Sequence, residues 1–195
     1  NGFEALLREL RHIRAFRPRF NRQHRRERRF AWVRVTGESA PRLQAARHPG
    51  TGNDETFGPF PAPRGLPAVL RELATETGLR DCAGGTPMYF ADQAELFADP
   101  RKPRCSRAEL GSCPGPCAGR CGASDYQTGV DRARNFLRGL DDSVLSSLRQ
   151  RMDEAVARRE FEQAARFRDR SVRLEELRNE IVFFRRFLSD LSFLY

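Results

Sequence analysis

A chain of 195 residues can bury one good core or two small ones, and an apolar fraction of 39% with a mean hydropathy of −0.66 leaves it a large solvated surface. The net charge of +9 and pI near 10.3 make polyanions its natural partners, and with Lys102 the only lysine the charge sits on guanidinium groups suited to bidentate phosphate contact, although a GC-rich genome produces the same bias. No apolar run reaches the ~18 residues that a membrane helix needs and no secretory signal pattern is visible, so a membrane partner is excluded and a cytoplasmic setting is expected.

Phe3, Leu6, Leu7, Leu10 and Ile13 recur at helical spacing, which predicts an amphipathic helix over residues 3–16, ended by Pro18. A basic run from Arg22 to Arg29 follows, and then Phe30, Trp32, Val33 and Val35 suggest a short strand. Residues 36–65, rich in Gly, Pro and Thr, read as loop with Phe57-Gly58-Pro59-Phe60 as the only apolar anchor. Leu66, Val69, Leu70 and Leu73 restore helical spacing, and Gly78 closes that helix. Residues 81–124 read as an irregular, cysteine-bearing region with Met88-Tyr89-Phe90 and Leu96-Phe97 as its apolar patches.

Beyond Asp125 the chain reads as helical. Val130, Ala133, Phe136 and Leu137 form one face, Gly139 offers a stop, and Asp141-Asp142-Ser143 supplies the next start. Leu145, Leu148, Met152, Ala155 and Val156, then Phe161, Ala164, Ala165, Phe167 and Val172, predict two short helices joined by a tight turn at Arg159-Glu160, an αα-hairpin. A third stripe continues through Leu174, Leu177, Ile181, Phe184 and Leu188. A two-helix hairpin cannot bury its own apolar face, so it needs a partner in this chain or another.

The most informative residues are Cys105, Cys113, Cys117 and Cys121, with Cys82 upstream and no other cysteine. Glycine and proline between them let a loop fold back and bring several thiolates to one centre. In a cytosolic setting that pattern favours a bound metal or cluster over disulfides. Zinc sites use close Cys pairs, which the x7 gap fits poorly, and iron–sulfur sites tolerate wider spacing; spacing alone does not separate them. Around Phe20, the arginines Arg17, Arg19, Arg22, Arg25 and Arg26 form a candidate DNA-binding stretch, with a solvated charged face as the alternative.

The pieces occur in the order found in the UvrC family, the nuclease subunit of bacterial nucleotide excision repair. Glu4-Ala5-Leu6-Leu7-Arg8-Glu9 with Arg17-Pro18-Arg19-Phe20-Asn21 resembles the end of its GIY-YIG nuclease domain. Phe57-Gly58-Pro59-Phe60, Leu79-Arg80-Asp81-Cys82 and Cys105-x7-Cys113-Pro114-Gly115-Pro116-Cys117 resemble its following elements. Arg151-Met152 through Asp169 is similar to the UVR motif. The resemblance implies an α+β, mostly helical fold. Residues 1–35 would end the GIY-YIG domain, 36–80 would be linker and helix, and 81–140 a Cys-rich cluster domain. Residues 141–180 would be the UVR hairpin and 181–195 the start of a further region.

The resemblance also implies roles. Glu4 would bind the nuclease's divalent cation, Mg or Mn, with Asn21 in the same surround. Cys82, Cys105, Cys113 and Cys117 would ligate a four-iron four-sulfur cluster, with zinc as the alternative, and Cys121 has no counterpart. Met152, Phe161, Glu162, Ala165, Arg168 and Asp169 would contact UvrB. The function implied is incision of damaged DNA in complex with UvrB; the alternative is a non-catalytic DNA- or UvrB-binding adaptor with a structural cluster. The chain reads as a fragment that begins inside the nuclease domain, so it is not expected to cut DNA alone.

Overall fold

The computed structural model describes residues 2–16, 30–50, 52–92 and 105–190. Helix α1 spans Gly2–Phe16, as its apolar spacing predicts. Strand β1, Phe30–Val35, is the centre of a three-stranded antiparallel sheet of order β2-β1-β3. Alternation sets its buried face: Ala31, Val33 and Val35 point into the core, and Val33 lies opposite both Ala45 and Phe57.

The expected loop over residues 36–65 is corrected here, because strands β2, Leu43–Ala46, and β3, Glu55–Pro61, lie within it. Their pairing explains what local composition hides. Phe57 and Phe60 are both buried although they are three residues apart, since a register shift between Ala31 and Val33 inserts an irregularity into the ladder. Gly58 occupies that irregularity with φ 137°, and a Cβ there would meet the carbonyl oxygen of Ala31 at 2.8 Å. The Phe-Gly-Pro-Phe element is therefore a kinked strand.

Helix α2, Leu66–Thr77, buries Leu66, Val69, Leu70, Leu73 and Ala74, and ends at the left-handed Gly78 as predicted. A four-residue turn of helix, α3 (Ser106–Glu109), interrupts the irregular cysteine region. Helix α4, Ala123–Arg138, presents Tyr126, Val130, Ala133, Phe136 and Leu137 to the core and stops at Gly139. Asp141 opens the next helix by accepting the backbone N–H of Ser143 at 2.7 Å.

The hairpin consists of α5, Ser143–Ala157, and α6, Phe161–Asp190. Its turn is a Schellman motif: Glu160 N–H donates to Ala155 O (2.8 Å) and Arg159 N–H to Val156 O (2.9 Å). Arg159 takes the left-handed position, with φ 60°, that glycine usually fills. The second short helix and the third stripe are one continuous 30-residue helix. Its first half packs on α5 and α2, and Leu174, Leu177 and Ile181 enter the same hydrophobic cluster as the sheet, α2 and α4. Carboxylates fix the docking. Glu76 on α2, with its side chain 6% exposed, accepts from Arg151 and from Arg170 Nη1 (2.6 Å), and Glu72 accepts a forked pair from Arg173.

Candidate functional site

The end of α2 turns straight into the cysteine region, and one buried arginine organises the corner. Arg80 is 2% exposed, yet its guanidinium is fully engaged. Nε donates to Ala40 O (2.8 Å), Nη1 to Cys82 Sγ and to Ala83 O (both 3.2 Å), and Nη2 to Glu38. Its backbone N–H donates to the Tyr126 hydroxyl at 3.0 Å, which in turn donates to Pro41 O at 2.7 Å. Arg42 pairs with Glu38 at 3.3 Å and donates to Cys82 O at 3.2 Å. Three elements, the β1–β2 connection, the end of α2 and the start of α4, thus meet at Cys82. Burial raises the Tyr126 hydroxyl far above its ordinary value, so it stays a neutral two-way hydrogen-bonding bridge.

The remaining thiols are brought to this corner by loop geometry. Arg107 on α3 pairs with Asp81, next to Cys82, and Cys105 O accepts the N–H of Glu109 at the start of α3. Gly115 N–H points at Cys113 Sγ (3.5 Å), and a short 3-10 turn at Pro116–Ala118 buries Cys117. The segment before it is tied alongside by Tyr89 N–H to Pro116 O and Ala91 N–H to Cys121 O, each 2.9 Å. Phe90 seals the back of the corner against the Tyr126 ring, 5.9 Å between centroids.

All five cysteines are free thiols. The Cys113 thiol is pushed up by burial first, then eased by the Gly115 N–H, then raised by the charges that Cys82, Cys117 and Cys105 would carry. Cys117 is pushed up by burial and then by Cys105 and Cys82. Cys113 and Cys117 thus feel the charges of the neighbouring thiols. Cys121 is raised to about 11, by burial first and then by Cys113, Asp125, Asp92 and Cys117. Repulsion among neighbouring thiolates is of the kind that a bound cation relieves. Among the described residues, no three His, Cys, Asp or Glu side chains are grouped to hold a single metal ion.

The other predicted site residues lie apart. Glu4 is exposed on α1, while Asn21 and the arginines Arg17, Arg19, Arg22, Arg25 and Arg26 lie outside the described residues. On the hairpin, Phe161 is 66% exposed, Glu162 is exposed, and Arg168 and Asp169 are exposed and paired at 2.8 Å; Met152 and Ala165 are half-buried. Val156 and Val172, each 48% exposed, add apolar surface that the sequence reading did not assign to binding. Arg80, Glu38, Arg42 and Tyr126 were also missed. The available signal was an arginine two residues after a helix stop and two before a cysteine.

The order of these elements has counterparts among known proteins. Residues 30–136, from β1 through nearly all of α4, match the profile of the "UvrC/Cho excinuclease, middle domain". The chain belongs to the UvrC family. Residues 142–180 match the "UvrB/uvrC motif", which places that motif on α5 and most of α6. The UvrABC system protein C of Moorella thermoacetica is 32% identical over 178 residues, 91% of this chain and 27% of the relative. Its counterpart in Histophilus somni (strain 2336) is 34% identical over 167 residues, 85% of this chain and 26% of the relative. That of Caulobacter vibrioides is 33% identical over 168 residues, 86% and 24%. The chain thus spans about a quarter of the length of the curated UvrC relatives it matches. No solved structure matches it. All five cysteines fall inside the middle-domain match, and α1 lies outside both matches. Among the described residues, no helix is long and apolar enough to cross a membrane.

Proposed function

We propose that this chain is the central part of a nuclease subunit of bacterial nucleotide excision repair, incising damaged DNA together with UvrB in the cytoplasm. The observation that carries this reading is the union of a UvrC middle domain, holding all five cysteines, with a UVR hairpin that exposes Phe161, Val156 and Val172. Exposed apolar residues ringed by charge are the usual makings of a helix-on-helix interface. The partner surface is the face carrying Met152, Phe161, Glu162, Ala165, Arg168 and Asp169.

Cys82, Cys105, Cys113 and Cys117 would hold a four-iron four-sulfur cluster. The donor chemistry supports this reading, since thiolate sulfur ligates iron–sulfur clusters, and structural zinc remains the alternative. When bound, the cluster supplies a structural tie or a redox-sensitive centre; the cutting chemistry lies elsewhere. In that chemistry Glu4, on α1, would hold a divalent cation, Mg or Mn, to activate the scissile phosphate, with Asn21 in the same active-site surround, and Arg17, Arg19, Arg22, Arg25 and Arg26 would contact DNA phosphates.

The test uses the full-length protein. Phe161→Ala is expected to weaken UvrB association about tenfold by calorimetry, the loss typical of an exposed aromatic anchor, and Glu4→Ala to abolish incision while DNA binding persists. Unchanged UvrB affinity returns the hairpin to plain packing, and undiminished cutting by Glu4→Ala removes that residue from the active site.

A further inference from the structure

The last turns of α6 lie beyond both family matches, over residues 30–136 and 142–180, and carry a surface of their own. Residues 181–189 hold three phenylalanines, two arginines and no carboxylate. Phe183 is 61% and Phe187 46% exposed, and their rings lie nearly parallel (15°) with centroids 6.1 Å apart. Half-buried Phe184 meets both edge-on, at 5.4 and 6.3 Å, and ties them to the sheet through Phe30 at the start of β1. The pair is thus buttressed by a third ring and still open to solvent.

Charge sets what can cover it. Arg185 and Arg186 interrupt the aromatic run, both are exposed, and among the described residues neither pairs with a carboxylate. Arg185 also lines a groove between β3, the end of α4 and α6, with Phe57, Leu140 and Ile181 as apolar wall. The other charges lining that groove are Arg138 and Glu55, and Glu55 already accepts from Arg138 at 2.6 Å and from Arg134 at 2.9 Å. Exposed Glu180, a turn before Phe183, bounds the patch along the helix. In sequence the basic run Arg22–Arg29 leads directly into Phe30. An apolar partner face would leave both guanidiniums unpaired, whereas a strand of bases and phosphates satisfies rings and charges together.

We propose that this patch binds an unpaired DNA strand, with bases stacked on Phe183 and Phe187 and phosphates held by Arg185 and Arg186. Every base has a π face, so such a platform accepts a strand whatever its sequence, and guanidiniums beside the rings take the backbone. The choice of DNA rests on the excision-repair reading above; the stacking site itself does not.

The test is binding of a fluorescent oligo-thymidylate to the full chain, followed by anisotropy across a salt series. Phe183→Leu with Phe187→Leu keeps an apolar surface at exposed positions but removes the rings, and is expected to weaken binding about tenfold. Tryptophan at the same two positions is expected to retain it. Arg185→Gln with Arg186→Gln is expected to reduce the slope of log affinity against log salt by about 1.4. A duplex that responds equally to the leucine pair overturns the assignment to an unpaired strand. Self-association or UvrB binding lost in the leucine pair, with oligonucleotide affinity unchanged, gives the face to a protein and overturns the proposal. A protein that incises and binds UvrB, but whose oligonucleotide affinity ignores these changes, overturns this inference alone. Patch-dependent binding in a protein that does neither overturns the functional reading and leaves the stacking site standing.

Discussion

Alanine in place of Gly129 is expected to destabilise the fold by about 2 kcal/mol, although alanine is the better helix former. Gly129 lies in the middle of α4, where that helix crosses the end of α2. A Cβ there would stand 2.4 Å from the carbonyl oxygen of Thr77. The obstacle is backbone, and it cannot rotate away. Thr77 is itself buried, with its hydroxyl donating to Leu73 O at 2.8 Å. Overpacking of this kind typically costs ~1–3 kcal/mol and more against main chain, while removing glycine from a helix returns up to ~1 kcal/mol. The steric term wins. For a chain of this size, that loss lowers the melting temperature by about 4–8 °C. Since Tyr126 lies one turn before Gly129 and bridges Arg80 to Pro41, displacement of α4 also loosens the hold on Cys82. An unchanged or raised denaturation midpoint for Gly129→Ala means that the seam between α2 and α4 is open enough to take a methyl group.

Glu76→Ala is expected to cost a similar ~2 kcal/mol, by a different route. Removing one partner of a buried ion pair typically costs ~3–5 kcal/mol, because a charge is left stranded. Here the two stranded groups, Arg151 and Arg170, are 37% and 30% exposed and can turn toward water, so the loss is discounted. Arg151 keeps its place over the Phe167 ring, 5.1 Å from the centroid. The expected signature is local: faster amide exchange in the first half of α6, as the hairpin loosens on α2. Glu72→Ala is the control. Its pair with Arg173 is more exposed, 22% and 44%, so although the Glu72 carboxylate holds that guanidinium above its ordinary value, the change is expected to stay within ~1 kcal/mol. Equal effects from the two glutamates contradict the docking described.

The helices were legible because their signals are local. Leu66, Val69, Leu70 and Leu73 followed by Gly78, and Val130, Ala133, Phe136 and Leu137 followed by Gly139, contain both a face and a stop within one segment. Strands β2 and β3 were not. Their evidence lies in β1, up to 31 residues away in the Phe30–Pro61 pair, and β3 carries Gly58, Pro59 and Pro61, which ordinarily argue against a strand. Helix α6 read as two pieces because its buried side changes partner along its length, from α5 and α2 to α4 and β3. Cysteine spacing grouped the thiols but could not find their organiser. Arg80 reaches carbonyls and carboxylates 40 and 42 residues away, contacts that exist only once the sheet has closed.

The central claim is that Cys82, distant in sequence, joins Cys105, Cys113 and Cys117 in one iron–sulfur site, while Cys121 is spare. The most direct measurement is iron, sulfide and zinc analysis of the anaerobically purified protein and of its single Cys→Ser variants. The account predicts about four iron and four sulfide per chain, lost in Cys82→Ser, Cys105→Ser, Cys113→Ser and Cys117→Ser and kept in Cys121→Ser. Stoichiometric zinc without sulfide, or a cluster that survives Cys82→Ser but not Cys121→Ser, contradicts it.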